Sequence, residues 1–324
     1  MGEFELIDRF FRRESGGRGV ALGIGDDCAL LAPGPGMQLA VSTDLLLEGR
    51  HFFPDVDPQR LGHKALAVNL SDLAACGARP LAFTLALSLP EADEAWLAPF
   101  ARGLLALADL HGCALVGGDT TRGPLAICIT VFGEVPTGQA LLRSGARAGD
   151  DLYVSGTLGD ARLALEVLRG GVQAAPDVLA AARDRLEMPT PRVALGQALR
   201  GLATSAIDLS DGLLGDLGHV LRRSTVGARI DVAAALALFA AAHGQANVVP
   251  GDQQLAWVLA GGDDYELAFT ATPSRRADIA AAATATATPV TRIGSIEAAP
   301  GVRLVDAEGH AVDTPAAGGF DHFR

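Results

Sequence analysis

Carboxylates recur in short turn-like segments that follow apolar runs, and this pattern suits metal chemistry. Five segments share it, and a sixth, GGDDYEL (261–267), lies between a predicted helix and a predicted strand. The five are GIGDDCA (23–29), VSTDLLLEGRHF (41–52), VNLSDLAACGARP (68–80), LVGGDTTRGP (115–124) and AIDLSDGLLGDLG (206–218). Carboxylates at strand ends can converge at one sheet edge, and glycine-bearing turns let a ligand approach closely. Since Mg2+ takes carboxylate, phosphate and water oxygens, the pattern predicts several Mg2+ ions holding a polyphosphate.

Each segment also has a purely structural interpretation, which the residues alone leave open. The alternatives are a tight turn at Asp26–Asp27, a helix cap at Asp44, a solvent-facing pair at Asn69 and Asp72, an ordinary loop at Asp119, a capping cluster at Asp208, Ser210 and Asp211, and a turn at Asp263–Asp264. Polar groups on the apolar side of an Ala- and Leu-rich helix need partners. The occurrence of all six segments in one chain favours the metal site.

Three basic residues stand near these segments. His51 follows the carboxylates of segment 41–52 and is either a structural histidine or a residue that contacts a ligand. Arg143 and Arg147 lie within RSGARAGD (143–150). A guanidinium group can hold phosphate oxygens bidentately, although a solvated hinge explains the two arginines equally well.

Alternating strands and helices are predicted to position these residues. In the first half, strands are predicted at 20–24, 38–42, 82–89, 114–116 and 126–135, and helices at 63–76 and 91–111. The polar, glycine-rich segment Pro136–Asp151 indicates a boundary between domains at 1–137 and 148–324. In the second half, strands are predicted at 152–155, 205–209, 228–231, 266–270, 290–296 and 302–305, and helices at 160–169, 177–186, 193–202, 211–223, 252–259 and 275–283. The chain is therefore predicted to have a two-domain α/β fold.

Composition excludes several classes of protein. The chain has 324 residues, with 26 basic and 38 acidic side chains and a formal charge of −12. This acidic balance argues against broad contact with a nucleic-acid backbone, which needs clustered positive charge. Lys64 is the only lysine, which excludes a Walker A phosphate loop. The longest apolar run, Val232–Ala242, is 11 residues and falls short of the roughly 20 that span a bilayer.

The cysteines and the first residues predict the compartment. Cys28, Cys76, Cys113 and Cys128 are far apart and form no CxxC pair, so we expect reduced core residues and neither disulfides nor zinc ligands. The acidic start MGEFELIDRFF lacks the basic and apolar regions of a signal peptide. We expect a cytoplasmic protein without membrane or nucleic-acid partners.

The motifs together resemble the thiamine-monophosphate kinase family, which makes thiamine diphosphate from thiamine monophosphate and ATP. The similarity runs from GEFELIDRFF to GGFDHF, and its most specific segments are GIGDDCALL, STDLLLEGRHF, KALAVNLSDLAACGARP, GGDTTRGP, RSGARAGD and IDLSDGL. It implies a fold like that of aminoimidazole ribonucleotide synthetase, shared with selenophosphate synthetase. It also implies a homodimer paired through the N-terminal domains, a cleft near that interface completed by the C-terminal α/β domain, and ATP bound with several Mg2+ ions.

The resemblance also implies roles for individual residues. The positions that match the family's metal site are Asp27, Ser42, Thr43, Asp44, Asp72, Asp119, Asp208 and Asp211. The positions that match its ATP contacts are Gly118, Asp119, Arg143 and Ser210. The positions that match its contacts with thiamine phosphate are His51, Asp263 and Phe320. Two departures are that the family often has Glu at Asp263, and that it can have an aromatic residue beside the nucleotide near Arg102.

No catalytic acid or base is expected, because a phosphate monoester with a second pKa of about 6 is already mostly dianionic at pH 7. Direct in-line transfer then depends on positioning and on charge stabilisation by metal ions. Two alternatives remain open: an enzyme of the same fold with another small phosphorylated acceptor, and a non-catalytic sensor of Mg-nucleotide.

Overall fold

The computed structural model describes residues 2–13, 17–243 and 249–313. The chain divides into two compact units of mixed α/β structure, which confirms the predicted fold class. Unit 1 comprises Met1–Leu73 and Ala78–Ala140, and unit 2 comprises Ala74–Gly77 and Leu141–Arg324. Within the described ranges, none of the helices has the length and hydropathy needed to cross a membrane.

The described residues of unit 1 form six strands and three α-helices. The strands are β1 (Val20–Leu22), β2 (Leu30–Leu31), β3 (Met37–Leu47), β4 (Arg79–Leu89), β5 (Ala114–Arg122) and β6 (Ala126–Pro136). The helices are α1 (Glu3–Leu6), which continues into a π-helical turn (Ile7–Phe11), α2 (Pro58–Ala75) and α3 (Glu94–His111). Strands β1 and β2 form a hairpin, and the other four form a sheet in the order β3-β6-β4-β5. Only the β4–β5 pair of that sheet is parallel, because helix α3 connects the two strands.

Helices α2 and α3 cross closely because glycines stand where they meet. A Cβ atom on Gly62 of α2 would lie 2.1 Å from the carbonyl oxygen of Phe100 in α3. A Cβ atom on Gly103 of α3 would lie 1.8 Å from the carbonyl oxygen of Gln59 in α2. Helix α2 begins at Pro58, and Asp57 caps it by accepting from the Arg60 amide at 3.0 Å. These contacts fix the helix that carries Asn69 and Asp72.

Unit 2 is built on a seven-stranded sheet in the order β13-β12-β9-β11-β7-β10-β8. Its strands are β7 (Asp151–Ser155), β8 (Ser205–Leu209), β9 (Gly227–Asp231), β10 (Glu266–Ala271), β11 (Val290–Glu297), β12 (Gly301–Val305) and β13 (Ala311–Val312). Its helices are α4 (Asp160–Leu168), α5 (Pro176–Glu187), α6 (Val193–Ala198), α7 (Leu213–Ser224), α8 (Val232–Leu236), α9 (Gly251–Ala260) and α10 (Arg276–Ala285). Short 3-10 turns lie at Ala240–His243 and Pro273–Arg275.

The central strands of unit 2 are apolar and buried. Every residue of β7, β8 and β10 is buried, which is typical of strands covered on both faces. One core cluster joins residues of these strands to helices α4, α7 and α9. Strand β8 is at the edge of the sheet, and its last residues lead into the acidic segment 208–211.

Two strands of unit 1 are longer than predicted, and the difference changes the description of the site. Strand β3 runs through Ser42–Asp44 to Leu47, and β5 runs through Gly118–Asp119 to Arg122. The prediction that these residues lie in turns after short strands was therefore wrong. Residue-by-residue pairing with β6 and β4 continues through both segments and outweighs their local turn chemistry.

The cysteine prediction is partly confirmed. All four thiols are free. Cys113 is buried, and burial raises the pKa of its thiol to about 12. Cys28 and Cys76 are exposed, so the prediction that they belong to the core was wrong. Both lie in short loop segments, where side chains are less enclosed than on the strands.

Candidate functional site

Strand β3 presents Ser42 and Asp44 on the face that meets helix α2. Side chains alternate along a strand, and the burial of β3 follows this period, with Ser42, Asp44 and Leu46 less exposed than their neighbours. Thr43 lies on the opposite face, where its hydroxyl contacts the hydroxyl of Thr130 at 2.8 Å. The hydroxyl of Thr43 therefore cannot share a metal ion with Ser42 and Asp44. Only the main-chain oxygen of Thr43 is left for the role that the resemblance implies.

Helix α2 supplies the partners of that face. The hydroxyl of Ser42 donates to a carboxylate oxygen of Asp72 at 2.5 Å. The amide oxygen of Asn69 accepts from the main-chain N–H of Asp44 at 3.1 Å, and its NH2 group donates to the carbonyl of Ala65 at 3.0 Å. Asn69 and Asp72 share one helix face, as their spacing predicts, and both contact β3. The structure thus brings together two predicted metal-binding carboxylates and a hydroxyl.

His51 lies in the turn after β3 with a defined tautomer. Its Nδ1 atom accepts from the main-chain N–H of Leu47 at 2.9 Å, so the proton of the neutral ring is on Nε2. The ammonium group of Lys64, which is only 3% exposed, donates to the carbonyl of His51 at 3.4 Å. The orientation of the His51 ring is thus set by the backbone of the strand that precedes it.

Gly118 and Asp119 occupy the far edge of the same sheet. The cross-strand partners Asp44, Ile129, Leu85 and Gly118 form one row over β3, β6, β4 and β5. Three strand spacings separate the ends of this row, a distance of roughly 14 Å. Gly118 has φ 148°, and a Cβ atom there would lie 1.8 Å from the carbonyl oxygen of Leu85. Glycine is thus required at 118, and Asp119 is exposed beside it.

In unit 2, the predicted residues Asp208, Ser210 and Asp211 lie at the end of β8 and in the loop before α7. Asp216 holds this loop from inside the helix: its carboxylate accepts from the main-chain N–H of Asp211 at 3.0 Å, and also bonds the amides of Ser210 and Gly212. Burial raises the pKa of Asp216 to about 7. The loop geometry thus depends on a carboxylate that the site prediction did not include.

Asp263 belongs to a turn with an uncommon backbone. Its φ is 60°, and that of Tyr265 is 50°. The main-chain N–H of Asp263 donates to the carbonyl of Ser210, and that of Tyr265 to the carbonyl of Leu209, both at 2.8 Å. Two predicted site residues, Asp263 and Ser210, are therefore joined by a hydrogen bond.

Arg143 lies in a loop attached to the last turn of α7. The Ser224 hydroxyl accepts from the main-chain N–H groups of Gly145 and Ala146, at 3.1 and 3.2 Å. Arg143 is exposed and lies within electrostatic reach of His219. Burial lowers the pKa of His219, neighbouring arginines including Arg143 lower it further, and Asp211 opposes them. Arg143 and Asp211 thus influence the same imidazole on α7.

The remaining predicted residues are not brought into these groups. Asp27 is exposed in the hairpin between β1 and β2, and Phe320 lies outside the described residues. Among the described residues, one group of three candidate ligands has all its donor atoms within 4.8 Å of one another, and it is Asp306, Glu308 and His310 on an exposed turn. In the part of the chain that the structure describes, no three carboxylates of the predicted site lie that close together.

Comparison with known proteins identifies the family. The N-terminal domain of AIR synthase-related proteins matches residues 25–135, and the corresponding C-terminal domain matches residues 147–307. The thiamine-monophosphate kinase of Escherichia coli (strain K12) is 48% identical over 331 aligned positions, which cover 99% of this chain and 98% of that protein. This chain belongs to the thiamine-monophosphate kinase family.

Solved structures of that family have the same architecture. The crystal structure of thiamine-monophosphate kinase from Stenotrophomonas maltophilia K279a matches with a TM-score of 0.82 at 45% identity, covering 95% of this chain and 96% of that one. The structure of AaThiL complexed with AMPPCP and TMP matches with a TM-score of 0.74 at 28% identity, covering 99% and 96%. The family assignment made from the motifs is confirmed.

Some residues of the candidate kinase site were missed from the sequence because their signals are weak. Asp216 lies within the segment 206–218, but nothing in its spacing shows that it bonds the loop five residues earlier. Lys64 was visible only as the single lysine. Its contact with His51 depends on how the turn after β3 folds over α2.

Proposed function

We propose that the protein transfers the γ-phosphoryl group of ATP to thiamine monophosphate, producing ADP and thiamine diphosphate. The observation that carries the proposal is the face formed by β3 and α2, where Ser42, Asp44 and Asp72 offer oxygen donors. Family membership over the whole chain supports it. So does the AaThiL structure, whose ligands are an ATP analogue and TMP.

The donor set fits Mg2+. This ion takes oxygen ligands, usually one or two carboxylates together with phosphate oxygens and water. Asp44 and Asp72 are half-buried, so their carboxylates remain accessible to an ion. Bound Mg2+ would neutralise phosphate charge and act as a Lewis acid. The proposed metal-binding residues are Asp27, Ser42, Thr43, Asp44, Asp72, Asp119, Asp208 and Asp211, with Thr43 acting through its main-chain oxygen.

The chemistry requires no proton abstraction by the protein. The acceptor phosphate is mostly dianionic near neutral pH, so an oxygen of that group can attack directly. The task of the chain is to hold two anionic reactants in line and to stabilise charge on the transferred group. Ser42 keeps the Asp72 carboxylate oriented, and Asn69 fixes the backbone at Asp44.

The nucleotide and acceptor roles are assigned to the residues that match the family's substrate contacts. Gly118, Asp119, Arg143 and Ser210 are proposed to contact ATP. His51, Asp263 and Phe320 are proposed to contact thiamine monophosphate. The cytoplasm is the proposed location, consistent with four free thiols.

The open face of the unit 1 sheet supports a homodimer. Strand β3 is an edge strand, and Leu39, Val41, Leu45 and Leu47 on its outer face are 39–55% exposed. A long, apolar, exposed edge strand is a site for association. We propose that two copies pair through this face.

The spacing of the site residues indicates more than one metal ion. Asp119 is on the opposite edge strand from Asp44, roughly 14 Å away along the row of paired residues. No single Mg2+ can contact carboxylates that far apart, since its ligands lie at about 2.1 Å. We therefore propose that Asp44 and Asp119 of one chain hold different Mg2+ ions.

The dimer is tested by light scattering on two leucine variants. Leu45→Glu should shift the mass toward the 33.2 kDa of one chain, because it places a charge on the proposed interface. Leu110→Glu is the matched control, since Leu110 is 77% exposed on α3 and should leave the mass unchanged. A monomeric wild-type protein would refute the pairing.

The activity is tested by ADP formation from ATP with and without thiamine monophosphate. We expect ADP and thiamine diphosphate to form one to one, only in the presence of both substrates and Mg2+. Tight ATP binding without stimulation by thiamine monophosphate would indicate a sensor. Stimulation by a different phosphorylated acceptor would indicate another enzyme of this fold. A phosphorylated protein after labelled ATP would exclude direct transfer.

A further inference from the structure

The turn that carries Asp263 needs support from its surroundings. Three of its four residues, Gly262, Asp263 and Tyr265, have positive φ values of 71°, 60° and 50°. Residues other than glycine seldom adopt this backbone region, and they remain there only when neighbouring groups hold them. Below, "the 262–265 turn" denotes this segment.

Two of the supporting bonds run to the end of β8. They are the main-chain bonds from Asp263 and Tyr265 to the carbonyls of Ser210 and Leu209, both at 2.8 Å. Between the two donors, Asp264 points inward, where its carboxylate accepts from the amide of Gly159 at 3.0 Å. Asp264 is 2% exposed. The turn is thus held at its N–H groups and at the Asp264 carboxylate.

The largely buried Arg185 holds a main-chain carbonyl group of the 262–265 turn. Nη2 of Arg185, on helix α5, donates to the main-chain oxygen of Asp264 at 3.2 Å and to Oε1 of Glu266 at 2.6 Å. Its side chain is 19% exposed. One guanidinium nitrogen therefore joins the turn to the start of β10.

Glu266 is fixed independently of Arg185. Arg192 donates to both of its carboxylate oxygens at 2.6 Å, and the hydroxyl of Ser155 donates to Oε2 at 2.6 Å. Gly156 leaves the space for this carboxylate, since a Cβ atom there would lie 2.0 Å from Oε1. Glu266 is therefore a rigid anchor from which Arg185 reaches the turn.

We propose that Arg185 is a positioning residue for the acceptor substrate, because it holds the 262–265 turn and with it Asp263. The inference rests on the proposed function in assigning Asp263 to thiamine monophosphate. The hydrogen bonds of Arg185 run to the turn and to Glu266, so its role is positioning and not substrate contact. It fixes the direction from which Asp263 meets its ligand.

The two arginines on Glu266 form a matched pair for testing this role. Both are largely buried and both bond Glu266, but Arg185 alone of the two has a hydrogen bond to the turn. Arg192 makes the bidentate pair, so Arg192→Lys should lower the melting temperature at least as much as Arg185→Lys. A merely structural role for both residues predicts equal effects on substrate binding.

The kinetic test compares the KM for thiamine monophosphate with the KM for ATP in the two variants. In Arg185→Lys we expect the KM for thiamine monophosphate to rise about tenfold, the loss that corresponds to one hydrogen bond with a charged partner. The KM for ATP should change less than about threefold, and Arg192→Lys should leave both KM values within about threefold of wild type. An unchanged acceptor KM in Arg185→Lys, or an equal rise in both variants, would overturn the proposal.

A second measurement needs no substrate. Hydrogen exchange over residues 262–266 should be faster in Arg185→Lys than in Arg192→Lys, because the amides of Asp263 and Tyr265 are bonded only while the turn holds its shape. Equal exchange in the two variants would refute the positioning role. If the wild-type protein forms no ADP in response to thiamine monophosphate, the proposed function fails, and exchange still decides whether Arg185 holds the turn.

Discussion

The carboxylates on the β3–α2 face of unit 1 and those buried beside α5 in unit 2 are held by different partners. Asp72 accepts from a serine hydroxyl, and the backbone of Asp44 is held by the neutral amide of Asn69. In unit 2, Glu266 is 0% exposed and accepts from two arginines and a serine. Asp72 thus contacts a neutral hydroxyl and the backbone of Asp44 a neutral amide oxygen, whereas guanidinium groups neutralise Glu266.

This difference matches what each set has to do. A carboxylate that is to receive a cation must stay accessible, and Asp44 and Asp72 are half-buried. A carboxylate used as an anchor inside the core must be neutralised, because an unpaired buried charge is strongly destabilising. The burial of a carboxylate therefore separates the proposed binding groups from the structural anchor Glu266.

The largest expected effect is on stability in unit 2. Glu266→Gln should lower the free energy of unfolding by about 3–5 kcal/mol, because it leaves Arg185 and Arg192 without their buried anion. Urea unfolding measures the loss. Glu297→Gln is the control, since its pair with Arg303 is partly exposed and should contribute no more than about 1 kcal/mol. Equal losses in the two variants would show that Glu266 is not a buried structural anchor.

The next effect is on activity in unit 1. Asp72→Asn should reduce kcat/KM at least about a hundredfold, while the unfolding midpoint stays near that of wild type, because an amide oxygen can still accept from Ser42. The matched control is Asp306→Asn, which alters a carboxylate in the exposed group of three and should retain full activity. Near-normal turnover of Asp72→Asn at saturating Mg2+ would show that Asp72 is not a ligand.

A smaller, pH-dependent effect is expected at Asp264. Burial raises the pKa of this carboxyl well above 3.8, and Arg185 only partly offsets the rise. The folded protein thus keeps a proton that the unfolded chain loses above about pH 4, so this group's contribution to stability falls as pH rises through that range. Asp264→Asn has no such proton. Its unfolding midpoint should therefore rise relative to that of wild type as the pH increases from 4 to neutrality. A constant difference across these pH values would show that Asp264 is ionised in the fold.

The smallest perturbation is thiol labelling of the native protein. Cys28 and Cys76 should react with a maleimide, because both are exposed. Cys113 should not react, since burial both encloses its thiol and raises its pKa to about 12. Mass spectrometry of labelled peptides reads this out, with guanidinium-unfolded protein as the control in which all four react. Rapid labelling of Cys113 under native conditions would contradict the packing of unit 1.

Local sequence predicted the fold best where apolar runs are short and sharply bounded. Strand β8 was predicted at 205–209, as it is in the structure, because AIDL precedes a polar Ser-Asp-Gly turn. Strands β3 and β5 were underestimated, because Ser-Thr-Asp and Gly-Gly-Asp-Thr favour turns locally. Their pairing partners, β6 and β4, lie far away in the sequence, and local chemistry does not contain that information.

The residue types of the site could be predicted, but most of its contacts could not. Spacing placed Asn69 and Asp72 on one helix face, whereas the bond from Ser42 spans 30 residues. The positive φ values of Asp263 and Tyr265 had no sequence signal, since neither residue is glycine. Such a conformation is imposed by tertiary bonds, here those to Ser210 and Leu209.

The burial of Lys64 has a practical consequence. It is the only side-chain amine in 324 residues, and it is 3% exposed under the turn that carries His51. Reagents that acylate amines can reach it only when this part of unit 1 opens. The rate at which Lys64 is acylated therefore measures how often that part of unit 1 opens. The measurement uses a single native position and needs no engineered probe.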